Sequence, residues 1–149
     1  PALLVHCTHA ARSQLKRCAD AGIRIAICPR SNWMLGVTGT ARRPPVREML
    51  DLGCRVSLGT DNCMVVQPDL WREMSFVSTI YRLPPDEILR AAVTGSSLRN
   101  GTYFIREGAP ANFLVLDPGE SNLWLSHDPV RTLVSRAGAV NILAKVINS

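Results

Sequence analysis

The sequence has 149 residues, of which 46% are hydrophobic and 19% are charged, so its length fits one domain and its composition excludes a wholly disordered chain. The net charge of +5 comes mainly from arginines that are scattered along the chain, so we expect no nucleic-acid-binding stripe. No apolar run approaches the ~20 residues of a membrane span, and no signal-peptide pattern opens the chain, so we expect no membrane partner.

The chain up to residue 94 alternates between predicted strands and predicted helices. Short apolar runs bounded by Gly or Pro predict strands, and apolar residues three or four positions apart predict helices. The predicted strands are 2–5, 24–28 and 55–58, and the predicted helices are 12–21, 46–52, 69–82 and 86–94. Residues 31–45 are predicted to form a loop, because they include two glycines and two consecutive prolines. This alternation predicts an α/β fold whose parallel strands are covered by helices.

The tail of the chain has a different pattern. An apolar stretch at 112–116 ends in an Asp-Pro-Gly turn and predicts a strand. Asp128 is expected to cap a short helix at 129–135 with Pro at its first position, and residues 140–147 predict a last strand. We therefore expect a boundary near Tyr103, which divides the chain into segments 1–103 and 104–149.

Polar residues follow each of the three predicted parallel strands. They fall in the clusters 6–9, 28–32 and 59–62. Each cluster has an ordinary explanation, such as a hydrogen-bonded structural role for His6, a solvated charge for Arg30 or a turn cap for Asp61. Because the carboxyl ends of parallel strands line the site of α/β folds, the shared position of these clusters favours one common site.

The three clusters resemble, in sequence and order, the carboxyl-terminal part of a metal-dependent amidohydrolase of the deaminase and chlorohydrolase branch. In that branch successive strands end in His-Cys-x-His, Cys-Pro-x-Ser-Asn and Gly-Thr-Asp, which stand here at 6–9, 28–32 and 59–61. Residues 105–108 and 111–117 resemble its tail strand, and residues 128–134 followed by 140–148 resemble its closing helix and strand. The resemblance implies that segment 1–103 supplies the last three strand–helix units of a (β/α)8 barrel and that segment 104–149 supplies strands of a small β-sandwich.

The resemblance also implies roles for individual residues. Asp61 would bind a divalent metal, zinc or iron, and would move a proton from the metal's water to the leaving group. His6 would hydrogen-bond the substrate and polarise the attacked carbon. Further residues implied as substrate contacts are Arg30, Ser31, Asn32 and His9, although a packing role at a helix start is favoured for His9.

These roles predict hydrolysis of a C–N or C–halogen bond in a small heterocyclic substrate. Asp61 is the only expected metal ligand in the sequence, so the other ligands are expected in a missing N-terminal barrel segment. The isolated chain is then expected to be inactive and to form a homo-oligomer through open strand edges. The alternatives are a non-catalytic structural fragment of the same fold and a basic domain that binds polyanions.

Two further features concern the setting of the protein. The five cysteines are odd in number and none are spaced as Cys-x-x-Cys, so we expect reduced thiols in a cytoplasmic protein. The first residue is Pro rather than Met, which suggests a fragment or a processed start.

Overall fold

A computed structural model describes residues 2–39, 43–94 and 105–147 of the chain, so the expected boundary near Tyr103 lies outside the described residues. Within these ranges, no helix has both the length and the apolar character that crossing a membrane requires. The strands and α-helices are β1 (Leu3–Val5), α1 (Arg12–Asp20), β2 (Arg24–Ile27), α2 (Pro29–Met34), α3 (Val46–Asp51), β3 (Arg55–Leu58), α4 (Leu70–Phe76), α5 (Pro85–Thr94), β4 (Phe113–Leu116), α6 (Pro129–Arg136) and β5 (Ile142–Val146).

The first three strands form a parallel sheet in the order β1-β2-β3, which confirms the predicted α/β architecture. Leu4 is aligned with Ile25, and Ile25 with Val56. The central strand β2 supplies two of the most buried side chains, Ile25 and Ile27, because it is paired on both edges. The core around them is completed by residues from the flanking helices and from β3, namely Leu15, Val46, Met49, Leu58, Met74, Val77 and Ile88.

Two predicted elements between residues 29 and 82 were wrong in part. Residues 31–34 were expected in a loop, but they belong to α2, which begins at Pro29. Proline suits the first helical position, because its fixed φ is helical and its missing N–H has no partner to lose there. The single helix expected at 69–82 is instead α4 followed by a π-helical turn at Val77–Tyr81, which ends at Arg82 with a left-handed φ of 54°.

The tail contains an antiparallel pair, β4 and β5, which confirms the two strands predicted there. The last strand begins later than expected, because Ala139–Asn141 forms a 3-10 turn. The cap predicted for α6 is also confirmed, since the Asp128 side chain accepts a hydrogen bond from the Arg131 backbone N–H at 3.0 Å.

Helix α6 packs against α4 and α5, so the tail shares a core with the three-stranded sheet. Val134 on α6 is fully buried in the same apolar cluster as the sheet residues. The Ser75 hydroxyl on α4 donates to the Ser135 carbonyl at 3.0 Å and joins the two helices.

Candidate active site

The three polar clusters lie at one edge of the parallel sheet. His6 directly follows β1, Cys28 directly follows β2, and Asp61 comes three residues after β3. Pairing continues past the strand ends, because the His6 N–H donates to the Ala26 carbonyl and the Gly59 N–H donates to the Ile27 carbonyl, both at 2.8 Å. Since β2 lies between β1 and β3, the ends of the outer strands are separated by two strand spacings, or about 10 Å.

The backbone changes direction at the residues that follow the outer strands. His6, Cys7 and Asp61 have φ angles of 68°, 48° and 63°, in the left-handed region that non-glycine residues seldom adopt. Each such conformation costs on the order of 1–3 kcal/mol and persists only where surrounding contacts enforce it. Among the described residues, Arg82, Ser121 and Asn122 also adopt this conformation, so it includes the two residues to which the family resemblance assigns chemistry but is not confined to them.

Ser31 orients the carboxylate of Asp61. Its hydroxyl donates to Asp61 Oδ2 at 2.6 Å, within the short range of hydrogen bonds to a charged acceptor. Ser31 is fully buried on α2, so the hydroxyl has a fixed position. This hydrogen bond fixes the orientation of the carboxylate and does not involve Oδ1.

The Cys28 thiol lies beside the same segment and is nearly fully buried. A side chain at Gly59 would place its Cβ 3.4 Å from Cys28 Sγ, at the near limit of ordinary van der Waals contact, so the thiol lies directly against the glycine. Burial raises the pKa of Cys28 to about 11, with smaller contributions from the negative charges of Asp61 and Glu73, while a hydrogen bond from the Asp61 backbone opposes the rise. The thiol is therefore neutral near pH 7 and unsuited to act as a nucleophile.

Arg30 and Glu73 form an ion pair between α2 and α4. Arg30 Nε lies 3.0 Å from Glu73 Oε1, and the Arg30 backbone N–H donates to Oε2 at 3.2 Å. The guanidinium also donates from Nη2 to the Gln67 carbonyl at 2.8 Å, in the loop that joins β3 to α4. Glu73 is fully buried, and this burial raises its pKa, whereas the hydrogen bonds and charge of Arg30 lower it.

Glu73 did not emerge from the sequence analysis, although the sequence contained a signal for it. It lies three residues after Leu70 and four before Val77, which places an acid among the apolar residues of one helix face. A charged residue on a buried face needs a partner, and the partner here is Arg30, which was expected to be a substrate contact.

The remaining expected site residues have different surroundings. His6 is half-buried, and its Nδ1 atom is buried without a hydrogen-bond partner among the described residues. Asn32 is buried. Its backbone carbonyl accepts hydrogen bonds from the backbone N–H groups of Val37 and Thr38, and these bonds close the turn after α2. His9 is exposed just before α1.

The described residues do not form a complete metal site. Across ranges 2–39, 43–94 and 105–147, no three His, Cys, Asp or Glu side chains are grouped so that they could hold a metal ion. A protein zinc site takes about three protein ligands. Asp61 fits as one carboxylate ligand, and the others would have to come from outside the described residues.

Known proteins match this chain over most of its length. The model of the adenosine deaminase family matches residues 4–99. A protein of Methanothermobacter thermautotrophicus, provisionally named an aminohydrolase, is 36% identical over 151 residues, covering 97% of this chain and 37% of that protein. The 5-methylthioadenosine/S-adenosylhomocysteine deaminase of Pelotomaculum thermopropionicum is 30% identical over 160 residues, covering 99% of this chain and 36% of the deaminase. The chain thus spans little more than a third of the length of these curated relatives.

A solved structure has the same fold over nearly the whole chain. It is a mutant of the atrazine chlorohydrolase of Arthrobacter aurescens TC1, complexed with zinc and atraton. The two chains superpose with a TM-score of 0.82 at 25% sequence identity, covering 97% of this chain and 34% of the chlorohydrolase.

Proposed function

The chain belongs to the adenosine deaminase family of metal-dependent amidohydrolases, and we propose that the complete protein deaminates a small adenine-like heterocycle. In this reaction water replaces the exocyclic amino group, the C–N bond breaks and ammonia leaves. The observation that carries the proposal is the carboxylate of Asp61, which Ser31 holds at the carboxyl end of β3. The curated relative that is named a deaminase supports a C–N bond as the target.

The proposed fold of the complete protein is a (β/α)8 barrel with a small β-sandwich. Segment 1–103 would supply the last three strand–helix units, and segment 104–149 would supply β4 and β5, with α6 packed back onto the barrel helices. The superposition on about a third of a zinc-containing hydrolase supports this proposal. In such a barrel β1 would pair with a further strand outside the chain.

We propose that the catalytic work of this chain is divided between Asp61 and His6. Asp61 would be one ligand of a divalent zinc or iron ion, which when bound lowers the pKa of water from ~15.7 to near 7. With Oδ2 held by Ser31, Asp61 would accept a proton at Oδ1 and deliver it to the leaving amine. The imidazole of His6, which follows β1 at the same edge of the sheet, would hydrogen-bond the substrate and polarise the attacked carbon.

Substrate binding is assigned to the rest of the site. Asn32 and His9 stay as proposed contacts, and Ser31 and Arg30 would border the pocket through the first turn of α2.

The free state of all five cysteines supports a cytoplasmic location. Partial exposure of Leu4 and Val5 in β1, at 40% and 50%, supports the proposal that this segment alone associates into a homo-oligomer.

A second candidate is hydrolysis of a carbon–chlorine bond in a triazine. The likeness to an atrazine chlorohydrolase favours it, since the two chains share the fold at 25% identity. Both candidate reactions use the same carboxylate and the same oxygen nucleophile. They differ in the leaving group, which is ammonia in the first reaction and chloride in the second.

The test is the substitution Asp61→Asn in the complete protein. We expect the wild type to release ammonia from 5-methylthioadenosine or S-adenosylhomocysteine, and we expect the variant to lose roughly 10³-fold or more in rate, because an amide cannot accept the proton. The control is Asp20→Asn, which changes an exposed acid paired with Lys16 on α1 and is expected to keep wild-type activity. Chloride release from atrazine without ammonia release would favour the second candidate. Full activity of Asp61→Asn, or a wild type that releases neither product, would overturn the proposal.

A further inference from the structure

The ion pair between Arg30 and Glu73 lies directly behind the contact that orients Asp61. Arg30 precedes Ser31 in α2, and Ser31 donates to Asp61 Oδ2. Glu73 accepts from the Arg30 backbone N–H and pairs with its side chain, so both groups of Arg30 are attached to one carboxylate. Glu73 thus fixes the first turn of α2, which carries the hydroxyl that holds Asp61.

The same ion pair also reaches the loop on which Asp61 lies. Arg30 Nη2 donates to the Gln67 carbonyl at 2.8 Å, and Gln67 belongs to the connection from β3 to α4. Asp61 is the third residue of that connection, and Asp69 ends it by capping α4, where its carboxylate accepts a hydrogen bond from the Trp71 N–H at 2.9 Å. Arg30 therefore contacts the same loop that carries Asp61, six residues further along the chain.

The pair is nearly fully buried, and its side-chain contact is ionic, since Glu73 Oε1 lies 3.0 Å from Arg30 Nε without an aligned hydrogen bond. The Glu73 side chain is fully buried and the Arg30 side chain is 14% exposed. By contrast, the pair between Arg47 and Glu87, which also joins two helices, is 48% and 31% exposed at its two side chains. A buried pair carries a desolvation cost, and in some proteins such pairs specify one arrangement of the elements that they join.

We propose that Glu73 is a positioning residue that fixes the carboxylate of Asp61 through Arg30 and Ser31. Glu73 touches neither substrate nor metal in this arrangement, and Arg30 acts as the link between α4, α2 and the Asp61 loop. The proposal rests on the proposed function, because it assigns Asp61 the proton transfer. The effect of Glu73 is geometric. An enzyme whose catalytic carboxylate is displaced by about 1 Å can lose as much as 10²-fold in rate.

The kinetic test uses Glu73→Gln, Ser31→Ala and the double variant of the complete protein. We expect Glu73→Gln to lower kcat about 10- to 100-fold with KM changed less than about threefold, because positioning acts on the reacting group rather than on binding. In the Ser31→Ala background the same substitution should lower kcat by less than about threefold, because the hydrogen bond through which Glu73 would position Asp61 is already absent. The control Glu87→Gln removes the charge of the exposed pair and should leave kcat within twofold.

A second measurement does not depend on activity. Hydrogen exchange of the peptide spanning residues 29–34 should be about tenfold faster in Glu73→Gln, because the Arg30 N–H loses its ionic acceptor, and it should be unchanged in Glu87→Gln. If the effects of Glu73→Gln and Ser31→Ala on kcat multiply in full, or if exchange of 29–34 is unchanged, the positioning role is wrong. If Asp61→Asn is fully active, the proposed function fails instead, and the exchange rate alone decides the role of Glu73.

Discussion

Removing the Ser31 hydroxyl tests how much the orientation of Asp61 contributes to the rate. In Ser31→Ala, Oδ2 loses a 2.6 Å hydrogen bond from a fully buried donor. A hydrogen bond to a charged group contributes about 1.5–3 kcal/mol. If the bond is needed as Asp61 takes and returns a proton, this range corresponds to a decrease in kcat of about 10- to 150-fold, since each 1.36 kcal/mol is tenfold in rate.

The assay is steady-state ammonia release by the complete protein at saturating substrate, with Ser57→Ala as the matched control. Ser57 is also a fully buried serine, but it lies in β3 and donates to the neutral Ile25 carbonyl at 3.4 Å. We expect Ser57→Ala to keep kcat within twofold of wild type. A Ser31→Ala variant with wild-type kcat, measured beside an inactive Asp61→Asn, would refute the view that Ser31 orients the catalytic carboxylate.

Two further predictions concern other side chains at the same edge of the sheet. His6→Ala in the complete protein should lower kcat about 10²- to 10⁴-fold while metal content holds, and loss of metal measured by elemental analysis would instead identify His6 as a ligand. Cys28 should be alkylated by iodoacetamide far more slowly than exposed Cys63 at pH 8, because a rise in pKa from 9.0 to about 11 lowers the thiolate fraction about 100-fold. Peptide mapping by mass spectrometry measures both rates, and equal labelling of the two thiols would contradict the burial of Cys28.

The sequence was sufficient to predict the parallel sheet, because its strand signals are local. Residues 55–58 alternate polar and apolar side chains between Gly53 and Gly59, and this strand was predicted to the residue. The cap at Asp128 was likewise predictable, since an acid before a proline is a local signal for a helix start. Such features depend on neighbours in sequence, which are visible before any fold is known.

The parts that escaped prediction depend on distant partners. The residues Pro-Arg-Ser-Asn are typical of a turn, yet they form α2, whose first turn is held by Glu73 from 43 positions away. Helical periodicity identifies the buried face of α4 through its apolar residues, so it overlooks an acid on that face. The contact between Ser31 and Asp61 spans 30 positions, and the sequence predicted only that the two residues share a sheet edge.

The packing of α6 has a consequence for synthesis on the ribosome. The strand order β1-β2-β3 follows the chain, so each new strand can dock on the one made just before it. Helix α6 departs from this order, because its contacts with α4 and with the π-helical turn after α4 span 57 to 60 positions, from Ser75 and Ser78 to Ser135. A nascent chain therefore displays the matching faces of α4 and α5 to its surroundings until the C-terminal region has emerged. That interval is when chaperones or a neighbouring nascent chain can reach the uncovered apolar surface.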